Sequence, residues 1–159
     1  MLKITLFEFI VRGIPEEFLF VFAVYTFTRT AINLKRYLIA SSVFWISEYL
    51  IRSLPIQYGI NTVIGLIALI IIAIGICKID TVKSIRAGIV AFLLCFICEG
   101  ITILFINFVL RLDLNAIMVD PILKTLYGLP ALLIFAIVTG LYYYRLHKTN
   151  KLACIELSR

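Results

Sequence analysis

Charge is scarce in this sequence, and histidine is nearly absent. Asp, Glu, Lys and Arg together make up 15% of 159 residues, and His147 is the only histidine. Such a low share of charge excludes an ordinary soluble domain, because 63% of the chain is hydrophobic and one core of this size cannot hide that much apolar surface. There is no Ser/His/Asp set, His-Glu-x-x-His run, glycine-rich phosphate loop or paired-aspartate motif. The expectation is therefore a protein that is not an enzyme, with no catalytic residue, no bound metal and no cofactor. His147 lies between Arg145 and Lys148 and reads as a solvated interface residue. The four cysteines, Cys77, Cys95, Cys98 and Cys154, have no zinc-type spacing and read as small hydrophobes.

What is present is long apolar runs at a mean hydropathy of +1.10. They predict an all-α, polytopic integral membrane protein of the cell membrane with about five transmembrane helices. The runs are Leu6 to Phe27, Tyr37 to Leu54, Ile56 to Cys77, Ala87 to Leu110 and Leu123 to Tyr144. Gly13 and Pro15 leave the first run open to two readings: one kinked helix, or a short re-entrant helix followed by a span. The N-terminus carries Lys3 alone ahead of the apolar run and no small-residue cleavage site, so it does not read as a secretory signal. By domain, residues 1–145 form the transmembrane helical unit and 146–159 a short basic cytoplasmic tail.

The net charge of +6 does not point to nucleic acid, because Lys and Arg fall in short clusters between apolar runs. Ten of the fifteen (Arg29, Lys35, Arg36, Lys78, Lys83, Arg86, Arg145, Lys148, Lys151, Arg159) belong to one side of a five-span topology. The other side holds Lys3, Arg12, Arg52, Arg111 and Lys124 with most of the acids. The positive-inside rule then sets the N-terminus outside and the C-terminus in the cytoplasm. Tyr142 to Tyr144 read as an aromatic belt at the cytoplasmic interface, and Asp120-Pro121 as a helix start.

One pattern occurs twice, forty positions apart: EFIVRGIP from Glu8 to Pro15, and EYLIRSLP from Glu48 to Pro55. Each copy spaces an acid and an arginine four residues apart on one helix face, ahead of a proline suited to a helix first turn. A fainter echo is Tyr127-Gly128-Leu129-Pro130. Together they suggest a parallel repeat of helical hairpins, with both clear copies toward the external face. Exposed pairs of this kind contribute only about 0.3–0.5 kcal/mol and serve equally well as interfacial anchors. Glu16 and Glu17 add acid at the start of a descending helix.

Glu99 is harder to explain as an anchor. It falls near the middle of the fourth run, between Cys98 and Gly100. An unpaired carboxylate at such depth costs about 2.5–3.5 kcal/mol on insertion scales. It is expected to meet Arg12, Arg52 or Asn61, with Asn107 extending a polar track outward. Gly59, Gly65, Gly75, Gly88 and Gly100 are expected to let helices approach closely. The candidate ligand-binding residues are thus Glu8, Arg12, Glu16, Glu48, Arg52, Asn61, Glu99 and Asn107.

Arg-Gly-Ile-Pro-Glu in the first run, Ile-Arg-Ser-Leu-Pro-Ile-x-Tyr-Gly-Ile at the second hairpin and Cys-Glu-Gly-Ile in the fourth carry a resemblance. The chain resembles the N-terminal multi-span sensor region of Firmicute receptor histidine kinases of the Agr quorum-sensing type, and the small stand-alone membrane proteins related to them. The matching residues are Arg12, Gly13, Pro15, Glu16, Arg52, Pro55, Gly59 and Glu99. The resemblance, from Phe7 to about Tyr144, implies a bacterial sensor of an extracellular small molecule or peptide. The sequence ends at Arg159, fifteen residues beyond Tyr144, so kinase activity is not expected and a signal would pass to a separate protein. The expected partners are the lipid bilayer, an unidentified small-molecule or peptide ligand, and a partner protein or second copy, but no nucleic acid. A transport component, either a permease or the substrate-binding subunit of a larger transporter, is the alternative, and a purely structural subunit a third.

The topology is open to a direct check. In a background free of native cysteines, Lys3→Cys is expected to react with a membrane-impermeant maleimide added outside whole cells, and Lys151→Cys to be protected. Reaction of both from the same side would require an even number of spans.

Overall fold

The computed structural model describes residues 9–53, 58–110 and 121–149. Their regular elements are all helices. A π-helical turn, Phe9–Gly13, leads into α1 (Ile14–Phe27); α2 is Leu34–Ser53 and α3 is Tyr58–Gly75. Helix α4 (Thr81–Phe105) runs on into a second π-helical turn, Ile106–Leu110, and α5 is Pro121–Lys148.

From Phe9 onward the first run is one re-registered helix. Pro15 has no N–H for the carbonyl of Val11, and its ring would collide with that carbonyl in a regular α-helix. The chain widens to π geometry over Phe9–Gly13 and resumes as α at Ile14, with Gly13 itself in helical conformation. No re-entrant break separates the two parts. Pro130 likewise stands inside α5 without ending it. Helix α4 starts at Thr81, six residues ahead of the expected Ala87, so Glu99 lies about two thirds along the helical run rather than at its middle. Helix α5 continues past Tyr144 to Lys148, taking the start of the basic tail with it. Of the two prolines in the proposed repeat, Pro15 stands in the first turn of α1 as expected, and Pro55 lies outside the described residues.

Helix α1 is the hub. Its sequence from Phe18 to Tyr25 is apolar on every face, so it is stable only when surrounded. It packs against α2, α4 and α5 and, more lightly, α3. Phe20 meets one aromatic ring from each of its three main neighbours: Phe44 of α2 at 6.3 Å, Phe92 of α4 at 4.6 Å and Phe135 of α5 at 5.6 Å between centroids. The first is edge-on, a favoured arrangement of aromatic quadrupoles. Further along, Phe22 pairs with Tyr143 at 5.3 Å and Phe27 with Tyr142 at 5.9 Å, which sets α1 and α5 side by side in the same direction.

Beside the ring cluster, small and hydroxylic side chains also fill the helix contacts. Ala23, Ala40, Ala73, Ala87, Ala91, Ser41, Ser84 and Thr139 are all buried. Thr26, Thr102 and Thr139 donate back to the carbonyl one turn earlier, at 2.8, 2.9 and 2.7 Å, so their hydroxyls are satisfied without water. The outer surface carries the bulk: Ile71, Ile97, Leu104, Leu133, Ile137 and Leu141 are exposed. So apolar an exterior is unlike that of a water-soluble bundle. Two helical stretches, Thr81–Phe108 and Gly128–Lys148, are long and apolar enough to cross a membrane. The apolar stretch Gly59–Gly75 is shorter, α1 has only 14 residues, and α2 carries Lys35, Arg36, Glu48 and Arg52.

Two basic residues close helix C-termini in the left-handed region: Arg29 (φ 55°) after α1 and Lys78 (φ 53°) after α3. Glycine usually fills this place, and a side chain there costs about 1–2 kcal/mol. Both turns are tied back to their helices, through Arg29 N–H to the Thr26 carbonyl at 3.1 Å and Ile79 N–H to the Ala73 carbonyl at 3.1 Å.

The ring cluster should be the mechanical centre of the bundle. Phe20→Ala is expected to destabilise the purified protein by about 3 kcal/mol. Phe96→Ala, on the exposed face of α4, should cost under about 0.5 kcal/mol. Thermal unfolding of the two variants in one detergent checks this, and equal losses would remove Phe20 from its central place.

Candidate functional site

One turn above Phe20, two neighbouring glutamates leave α1 in different directions. Residues i and i+1 on an α-helix diverge by about 100°, and Glu16 and Glu17 take opposite partners as a result. Glu16 faces Arg12 and α4; Glu17 faces Arg52 of α2. Both carboxylates are buried, Glu17 at 1% exposure.

The first lobe is Arg12, Glu16 and Glu99. The Arg12 guanidinium donates through Nη2 to Glu99 Oε1, and its Nε lies 3.6 Å from Glu16 Oε2. Cys95 stands one turn before Glu99, and its sulfur and the carboxylates of Glu16 and Glu99 lie within 4.8 Å of one another. Such a Glu–Cys–Glu set is of a kind that can hold a metal ion, but here the guanidinium already supplies the positive charge. The second lobe is Glu17, Glu48 and Arg52. Arg52 Nε donates to Glu48 Oε2 at 3.1 Å, and Nη2 lies 3.6 Å from Glu17 Oε1. The lobes are joined through adjacent residues of α1, so a change in one is felt by the other.

Glycines make room for both. A Cβ at Gly65 of α3 would collide with Glu48 Oε1, and one at Gly128 of α5 would come within 2.8 Å of Arg12 Nη1. Gly88 gives close approach of a different kind, to Leu66 and Ile70 of α3 at 3.2 Å. Gly59, Gly75 and Gly100 do not act this way: a Cβ at any of them meets no atom within 4 Å.

The side chains of Arg12, Arg52 and Glu99 keep 19%, 31% and 33% exposure, while the acids beneath them are closed in. Below lies the layer of Phe20, Phe44, Phe92 and Phe135. The result is a partly buried charged cluster at one end of the bundle, one turn from a layer of aromatic rings. Arginine is apt for this position, because its planar fork can serve two carboxylates at once and stays charged when desolvated.

The candidate residues fare differently. Arg12, Glu16, Glu48, Arg52 and Glu99 come together from four segments. Glu48 pairs with Arg52 at the expected four-residue spacing. Glu8, and with it the expected pairing with Arg12, lies outside the described residues; among these Arg12 faces Glu16, four residues on. Asn61 is not a partner of Glu99, whose pairing goes to Arg12; Asn61 sits half-buried in the first turn of α3, and its Oδ1 has no hydrogen-bond partner among the described residues. Asn107 is exposed in the π-helical turn, so it does not extend a buried track from Glu99. Glu17, Gly65 and Gly128 were not among the candidates. Only the adjacency of Glu17 to Glu16 signalled it, and nothing local signals a glycine whose purpose is to seat a side chain from another helix. Cys77, Cys95 and Cys98 are free and buried; Cys154 lies outside the described residues.

A double-mutant cycle tests the seating. Gly65→Ala alone should destabilise by about 1–3 kcal/mol, through displacement of the Glu48 carboxylate. In a Glu48→Ala background the same change should be neutral, or stabilising by up to about 1 kcal/mol because Ala favours helix over Gly. Equal effects in both backgrounds would show that Gly65 matters for another reason.

Compared with protein families, with curated proteins and with solved structures, the chain finds no match.

Proposed function

We propose that this chain is a five-span membrane protein, N-terminus outside, that receives a small molecule or peptide at the charged cluster and signals to a separate protein. The bulky apolar exterior and the small-residue helix contacts support insertion of the whole bundle. Lipid is as apolar as Leu or Ile, so association there relies on close packing and internal hydrogen bonds instead of hydrophobic burial. Helices α1, α2 and α3 are individually weak spans, and in this reading they insert as parts of a packed unit with α4 and α5. Of the described cations, Arg12, Arg52 and Lys124 stand at the end of the charged cluster and the others at the far end, the asymmetry expected of a cytoplasmic face under the positive-inside rule. The resemblance to Agr-type sensor regions agrees with this orientation and with an external ligand.

The observation that carries the reading is the paired charge above an aromatic floor. Ion pairs withdrawn from water contribute little net stability against apolar packing of the same volume, and inside membranes they mark functional positions. A charged cluster backed by Phe20 and its three partner rings suits reception better than passage.

A ligand screen separates the two. Wild-type protein and Glu99→Gln in matched nanodiscs are tested by thermal shift against small-molecule and peptide fractions. The receptor reading expects a compound that stabilises the wild type by several degrees, loses that effect in Glu99→Gln, and is not accumulated by proteoliposomes. Accumulation inside proteoliposomes would make the chain a transport component instead.

A further inference from the structure

The other end of the bundle holds a groove of about 1060 Å³ between the turn after α1 and the last turns of α5. Arg29, Arg145 and Lys148 bring three positive charges to it, and no acidic side chain lines it among the described residues. Its remaining wall is apolar and aromatic, from Leu141, Tyr142 and Tyr144. Arg29 reaches the groove from a backbone position that glycine would occupy without strain. The cation is thus kept at a conformational cost, which helix capping does not require.

We propose that this groove binds the phosphate of an anionic phospholipid in the leaflet at that end. The chemistry fits in two parts. Guanidinium groups make forked, charge-assisted hydrogen bonds to phosphate oxygens. The apolar stretch of α5 running back from the groove, through Leu141 and Val138, offers a track for an acyl chain, and tyrosines sit well at headgroup depth. A free phosphate would use the cations and leave the apolar wall unused. Basic pockets between helices on the cytoplasmic side are suited to such headgroups, with each cation strengthening binding about fivefold. The proposal rests on the membrane reading above. If that reading fails, the full chain will stay in the aqueous phase without detergent, a result separate from any lipid effect.

The full chain in neutral detergent is titrated with phosphatidylglycerol, with phosphatidylcholine or with inorganic phosphate, and bound species are counted by native mass spectrometry alongside Tm. The expected result is saturable retention of phosphatidylglycerol with a raised Tm, and no comparable effect of the other two. Arg29→Gly should hold or raise Tm in neutral detergent, because it relieves the left-handed strain, yet weaken phosphatidylglycerol binding about fivefold. Arg145→Gln should weaken it similarly, and Arg86→Gln, an exposed cation of α4 outside the groove, should not. Equal weakening by Arg86→Gln would reduce the effect to general surface charge and overturn the site. Unchanged affinity in both Arg29→Gly and Arg145→Gln would overturn it too, and equal binding of inorganic phosphate would overturn the assignment to lipid.

Discussion

A charge taken out of water must meet an opposite charge, and much of this molecule is arranged around that requirement. Arg12 and Arg52 stand at one end of a bundle whose hub helix brings two adjacent buried glutamates. Each arginine takes one of these and one glutamate from elsewhere, Glu99 or Glu48. Two glycines on the remaining helices, Gly65 and Gly128, are the clearest sign of the constraint, because a single methyl group at either would press on the network. An unpartnered charge at this depth would cost several kcal/mol, more than most single contacts in the bundle return.

The same helix carries the packing and the charge, three and four residues apart. Phe20 lies one turn from Glu16 and Glu17 and gathers rings from α2, α4 and α5, so the aromatic floor and the ion pairs fix one another. Movement of α1 would be carried directly to the three helices that share the ring cluster. At the opposite end, Tyr142 and Tyr143 tie α5 to the last turns of α1. These contacts join the charged end of the bundle to its opposite end.

The helical class and the approximate extent of each helix were legible in the apolar runs, and so was the pairing of Glu48 with Arg52, which needs only a four-residue spacing. The demand that Glu99 find a partner was legible from its depth, but its choice of Arg12 over Asn61 depends on how α1 and α4 are rotated. That rotation is set by Phe20 and Phe92, and no short-range pattern encodes it. The pairing of Arg12 with Glu16 crosses the join between the π-helical turn and α1 at Pro15. The sequence showed the proline but not whether the chain would break or re-register. The seats at Gly65 and Gly128 and the left-handed Arg29 were invisible for the same reason: each is meaningful only beside a residue far away in the chain.

If the buried charges are kept for binding, the fold should tolerate their joint removal while resenting the removal of one. The most direct measurement is thermal unfolding of a variant in which Arg12, Glu16, Glu17, Glu48, Arg52 and Glu99 are all replaced by Met, set beside the single Glu99→Met. Methionine matches their length and adapts its shape to the space left. The account predicts that the single change strands Arg12 and lowers Tm, whereas the sixfold variant keeps helical content and a Tm at or above that of the wild type. A sixfold variant that fails to fold, or melts below Glu99→Met, would show that the network is the structural support of the bundle and contradict its reading as a site.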